Sequence, residues 1–160
     1  MLPARETSAT TTVLHSQSPD ETRDLAARLA AYLQVGDVVA LSGSLGAGKT
    51  CFVQGLARGL GIEGYVTSPT FILMRHHPGN PSLCHADAYR LESPEELEDL
   101  GLEDVLASAV LALEWAEGVA DALPAERIEV HITSDGESTR TLHIEGRGDR
   151  LAAVVREAFA

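Results

Sequence analysis

Apolar positions along the chain switch between a helical and an extended period, and the switches predict its elements. Residues 10–15 are rich in β-branched side chains and read as a first strand. Ser18-Pro19-Asp20-Glu21 then opens a helix: Ser18 caps, Pro19 suits the first turn and Glu21 completes a capping box. Leu25, Leu29, Tyr32 and Leu33 follow at helical spacing as one buried stripe, and Gly36 ends the helix. Val38-Val39-Ala40-Leu41 is a continuous apolar run with glycine-bearing flanks, the pattern of a strand buried on both faces. After a glycine-punctuated loop over 43–48, residues 50–60 read as a helix with Phe52, Val53, Leu56 and Leu60 inward and Gly61 as its stop.

Downstream, residues 70–77 and 82–87 predict two strands joined by the Pro78-Gly79-Asn80-Pro81 turn. Ser93-Pro94-Glu95-Glu96 repeats the capping-box pattern and opens a short helix closed by Gly101. Val110-Leu111-Ala112-Leu113 is another short buried strand, and residues 127–133 and 139–145 pair around Asp135-Gly136 as a second hairpin. A helix over 150–159 closes the chain. A β-loop-α unit with added hairpins gives the α/β class, a single domain whose mixed parallel and antiparallel sheet is flanked by helices. Residues 1–9 read as a flexible tail and 10–160 as the domain.

Length and charge narrow the possibilities. The chain has 160 residues, enough for one ordinary domain. Its 24 acidic against 12 basic residues give a formal net charge of −12. Such a chain repels phosphate backbones and anionic membrane surfaces, and its basic residues are scattered, so direct nucleic-acid binding is not expected. The two cysteines, Cys51 and Cys84, form neither a disulfide framework nor a metal-ligand spacing. The longest apolar run, residues 105–113, is far short of a membrane span, and residues 1–13 lack a signal peptide's apolar block. A soluble, reducing, cytoplasmic setting is the expectation.

Gly43-Ser44-Leu45-Gly46-Ala47-Gly48-Lys49-Thr50 fits the phosphate-loop pattern G-x-x-x-x-G-K-[ST]. Glycines let successive backbone N–H groups turn into one concavity, and the following helix adds its positive end. Lys49, the sole lysine, is placed to reach the β- and γ-phosphates, and Thr50 offers a hydroxyl to magnesium. Residues 43–50 and Cys51 are therefore the candidate nucleotide-binding set. The chain contains neither N-K-x-D nor D-x-x-G, so ATP is favoured over GTP.

Phosphoryl transfer also needs a metal holder and a group that positions the nucleophile. Glu114 terminates the apolar run 110–113 as a Walker B acid does, and is the candidate magnesium ligand beside Thr50. Asp87 ends the 82–87 strand, where ligands gather in α/β sheets, and could orient the attacking water or enter the metal shell. Trp115, the only tryptophan, reads first as a packing anchor, with a role lining the nucleotide or a partner as the alternative. A lone histidine such as His85 is more often structural, His76 and His77 read as an exposed loop, and both cysteines as small buried residues.

Four strings in order resemble the TsaE (YjeE) family: the 43–50 loop, Thr67-Ser68-Pro69-Thr70-Phe71, His85-Ala86-Asp87-Ala88-Tyr89-Arg90, and Glu114-Trp115-Ala116-Glu117. The likeness spans roughly residues 15–145, with Pro94-Glu95-Glu96-Leu97 and Gly101-Leu102-Glu103-Asp104 between. It implies a small ATPase of tRNA threonylcarbamoyladenosine biosynthesis that works with TsaB and TsaD at adenosine 37, using ATP and Mg2+. On that likeness Ser68-Pro69-Thr70 is a switch-like loop near the γ-phosphate, Thr70 and Lys49 act with Asp87 as the catalytic or metal-shell acid, and Glu114 serves magnesium with Trp115 beside it. Ser44 departs from the family's usual Asp, Cys51 from a Thr or Ser, and Ala86 and Ala88 from bulkier residues.

Two other functions fit the same loop. A small-molecule kinase would need an acceptor pocket and usually an arginine-rich lid, yet residues 116–126 hold no arginine. A nucleotide sensor would dock to a partner without hydrolysis. The chain supplies no obvious arginine finger, Arg90 reading as structural, so slow hydrolysis alone and acceleration by partners are expected.

Overall fold

The computed structural model describes residues 8–64, 66, 67, 69 and 73–160. Their elements run β1 (Ala9–Ser16), α1 (Pro19–Ala30), β2 (Val38–Gly43), α2 (Lys49–Gly59), β3 (Met74–His77), β4 (Ser82–Asp87), α3 (Pro94–Asp99), α4 (Leu102–Ser108), β5 (Ala109–Glu114), β6 (Ile128–Ser134), β7 (Arg140–Arg147) and α5 (Asp149–Ala158). Single 3-10 turns at Ala116–Gly118 and Ala120–Ala122 follow β5.

One seven-stranded sheet, in the order β1-β7-β6-β2-β5-β4-β3, organises the domain. β2, β4, β5 and β6 pair parallel, while the β3–β4 and β6–β7 hairpins and the β1–β7 pair are antiparallel. The expected mixed sheet is thus observed. β2 and β5 are apolar on alternate residues of both faces because both faces are covered. Val39, Leu41, Val110 and Ala112 meet α1, α2 and α5, whereas Val38, Ala40, Leu111 and Leu113 meet α3, α4 and the 3-10 turns. Among the described residues no helix covers the second face of β1, β7 and β6, and His131, His143 and Val13 are exposed there.

Ser18 caps α1 by accepting from Glu21 N–H, and Ser93 caps α3 by accepting from Glu96 N–H, as the sequence patterns require. Some expectations need correction. α1 stops at Ala30, before Gly36, so Tyr32 leaves the helical stripe and is 40% exposed, while Leu29 and Leu33 are buried. The apolar stretch 105–113 is two elements: α4 runs to Ser108 and β5 starts at Ala109. β3 begins only at Met74, after Leu73 takes a left-handed φ of 70°; residues 70–72 of the expected strand lie outside the described residues. His76 and His77 are β3 residues, not loop, and His77 is half-buried. At the amino end, Ala9 already pairs with Arg147, so β1 takes in the last residue assigned to the tail.

Candidate functional site

The parallel strands β2, β4 and β5 deliver their carboxyl ends to one edge, and the phosphate-loop residues leave β2 at that edge. The loop must turn sharply against β6. Gly43 has φ 140°, and a Cβ there would lie 2.5 Å from the Ile132 carbonyl oxygen, so only glycine fits. Gly48 has φ 108° and precedes α2 with no side-chain cap. The free N–H groups of that first turn, together with the helix dipole, favour an anion.

Lys49, 5% exposed, folds back over the loop. Its Nζ donates to the carbonyls of Gly43 (2.8 Å) and Ser44 (2.9 Å) and lies 3.9 Å from the centroid of the Trp115 ring. Burial lowers its pKa, and the charges of Glu114, Glu117 and Asp87 oppose that shift. Trp115 is therefore a site residue. It takes a left-handed φ of 57° directly after β5, and its ring also contacts exposed Tyr89 at 5.1 Å.

The acids arrive by sheet register. Asp87 and Glu114 are partners at the ends of β4 and β5, each 3% exposed. Asp87 Oδ1 accepts from Tyr89 N–H at 2.8 Å, which fixes it in its own turn. The Thr50 hydroxyl donates to the Glu114 carboxylate, lying 3.0 Å from both oxygens. This hydroxyl and carboxylate form an oxygen-donor set of the kind that suits a hard divalent cation. Fully buried His85 places Nε2 2.5 Å from Glu114 Oε2. A cleft of 360 Å³ is lined by the loop, Lys49, Thr50, Cys51, Asp87, Glu114 and Trp115. The structure thus brings together Gly43 through Thr50 with Asp87 and Glu114. Thr70 and Ser68 lie outside the described residues.

Cys51 is half-buried, and its thiol donates to the Pro19 carbonyl. Burial pushes its pKa up although it sits in the first turn of a helix, and Cys84 is pushed up to about 11 by burial alone. Neither thiol is poised for chemistry. Beside the His85–Glu114 contact, Arg140 also escaped the sequence reading. Arg140, the first residue of β7, donates from Nε to the Ala47 carbonyl (2.9 Å) and from Nη2 to that of Gly46 (3.3 Å). It ties the phosphate loop to the β6–β7 hairpin, and no motif marks it.

A phosphate loop leaving a central parallel strand, with acids supplied by the next two parallel strands β5 and β4, defines a P-loop NTPase-like domain. The family model described as "Threonylcarbamoyl adenosine biosynthesis protein TsaE" matches residues 16–142. The chain belongs to the TsaE family of tRNA threonylcarbamoyladenosine biosynthesis. It is 44% identical over 138 residues to the TsaE protein of Streptomyces coelicolor, covering 81% of this chain and 93% of that one. The Bacillus subtilis TsaE protein is 40% identical over 142 residues, covering 88% and 89%. The solved structure titled "Crystal structure of Bacillus subtilus YdiB" superposes with a TM-score of 0.82 at 32% identity, covering 95% of this chain and 96% of that chain.

Proposed function

We propose that the chain binds ATP with Mg2+ and hydrolyses it slowly to support the TsaB–TsaD proteins in modifying tRNA adenosine 37. The observation that carries this reading is the Thr50–Glu114 pair beside Lys49 at the mouth of the 43–48 loop. The loop N–H groups and the first turn of α2 would hold the β- and γ-phosphates, with Lys49 as the mobile point charge. Thr50 and Glu114 would hold magnesium, which when bound supplies positive charge against the phosphate oxygens. Asp87, beside Glu114, would orient the attacking water, and Thr70 would close over the γ-phosphate. No helix among the described residues is long and apolar enough to cross a membrane, and we place the chain in the cytoplasm beside TsaB and TsaD as part of this proposal.

The test is ATP hydrolysis by the chain alone and with TsaB and TsaD. Turnover is expected to rise with the partners, and in single-turnover assays Asp87→Asn should lower the rate by at least about a hundredfold, the scale of a lost general-base group, while Glu114→Gln should lower it by weakening the magnesium it would hold. Wild-type rates in both variants would remove the two acids from the chemistry.

A further inference from the structure

His85 has no task in the scheme so far, yet it occupies a demanding position. It lies on β4 between Leu83 and Asp87, on the sheet face that α2 covers, and is fully buried. A carboxylate only accepts hydrogen bonds, so the ring nitrogen facing Glu114 Oε2, Nε2, carries the hydrogen. Nδ1 is equally buried and has no partner among the described residues. In the neutral ring this nitrogen is the bare acceptor, so one tautomer is specified.

The two acids are held differently. Asp87 accepts from the backbone N–H of Tyr89. The hydrogen bonds described for the Glu114 carboxylate come from Thr50 and His85, across two strands and a helix. A threonine hydroxyl rotates freely, whereas a packed imidazole does not. His85 is therefore the rigid restraint on the Glu114 carboxylate.

We propose that His85 is the positioning residue of the cation site: its Nε2–H fixes Glu114 so that the carboxylate stays aimed at Thr50. The inference rests on the magnesium–ATP reading above. Such supporting partners commonly govern metal affinity by about 10- to 100-fold. Loss of His85 should thus weaken cation binding and leave metal-free nucleotide binding intact.

The experiment uses Mn2+ as the probe, titrated by electron paramagnetic resonance against full-length protein saturated with ADP. His85→Leu, which keeps bulk and removes the donor, should weaken Mn2+ at least about tenfold. His85→Gln, which retains an N–H donor, should recover most of that loss. ADP affinity in EDTA should match wild type in both. Wild-type Mn2+ affinity in His85→Leu, equal losses in the two variants, or a parallel fall in ADP affinity would overturn the proposal. If His85→Leu does not fold, ring-nitrogen NMR of the unaltered protein decides. Nε2 should be protonated, Nδ1 bare, and the Nε2 signal should move when Mg2+ joins ADP; an Nδ1-protonated ring or an unmoved signal overturns it. Failure of the underlying reading looks different: Glu114→Gln would then leave Mn2+ affinity unchanged, or the wild type would bind no Mn2+ with ADP.

Discussion

At the scale of single residues, Lys49 sets the most direct expectation. Its ammonium is buried against two loop carbonyls and the Trp115 ring, and charge-assisted bonds to phosphate are among the stronger polar contacts. Lys49→Met should cost about 3 kcal/mol of ATP binding, roughly a hundredfold, read by calorimetric titration. The lowered pKa adds a pH dependence. Below its folded pKa the buried lysine is charged and weighs against the fold. That penalty fades as pH rises through the folded value towards the ordinary 10.5. Phosphate binding needs the charged form, so the fall in nucleotide affinity with rising pH should have its midpoint below 10.5; a midpoint at the ordinary 10.5 would show that burial has no effect. Lys49, Thr50, Asp87 and Glu114 were legible in the sequence because each is tied to a motif or a strand end. The partnership of His85 with Glu114 was not, because it spans 29 residues and depends on two strands pairing in one register. Tyr32 misled for a related reason: spacing predicts a helical face only while the helix continues, and this one ends at Ala30.

At the scale of elements, the β6–β7 hairpin is coupled to the phosphate loop through Arg140. The guanidinium spreads over the Ala47 and Gly46 carbonyls on one side and the Gly136 and Thr139 carbonyls on the other. Arg140→Ala should loosen the loop and weaken ATP about five- to tenfold, the value of one or two net hydrogen bonds, with little change in melting temperature. The α1–α2 crossing responds in the opposite way. A Cβ at Gly55 would lie 2.3 Å from the Arg23 carbonyl oxygen and 2.7 Å from Ala26 Cβ, both backbone-anchored neighbours. Gly55→Ala should therefore lower stability by about 1–3 kcal/mol, seen as an earlier unfolding midpoint in urea. The helical period located α2 but not this crossing, because a glycine inside a helix announces a close neighbour without naming it. The capped helices and both hairpins were legible from local turn chemistry. α4 was not, because Ser108 and Ala109 carry no stop signal and the apolar run passes through the junction.

For the whole molecule, the −12 charge acquires a location in the fold. A negative protein can still hold nucleic acid where its cations gather into one free patch. Here most of the described cations are occupied, with Arg75 and Arg156 instead donating to the hydroxyls of Thr67 and Thr10. Arg23 pairs with Asp20, Arg58 with Asp24, Arg127 with Glu129, Arg147 with Glu145 and Arg150 with Asp37. Arg140 lies on the loop carbonyls, Arg28 stacks on Phe159, and Lys49 is buried. Exposed ion pairs of this kind add little stability, but each removes a cation from the surface field. Binding to a polyanion gains from releasing counterions at phosphates, and a chain with paired cations and surplus carboxylates has few phosphate contacts to offer. The isolated protein should therefore show no measurable tRNA binding in a filter or mobility-shift assay at physiological salt. Lowering the salt should not rescue it, because weaker screening strengthens the repulsion as well. Micromolar binding that tightens as salt falls would show a basic surface that these pairings do not leave, and would place the chain directly on the nucleic acid. In its absence, the proposed role beside TsaB and TsaD would leave the tRNA to those proteins, and contacts of this chain with them should survive at salt concentrations that dissociate tRNA.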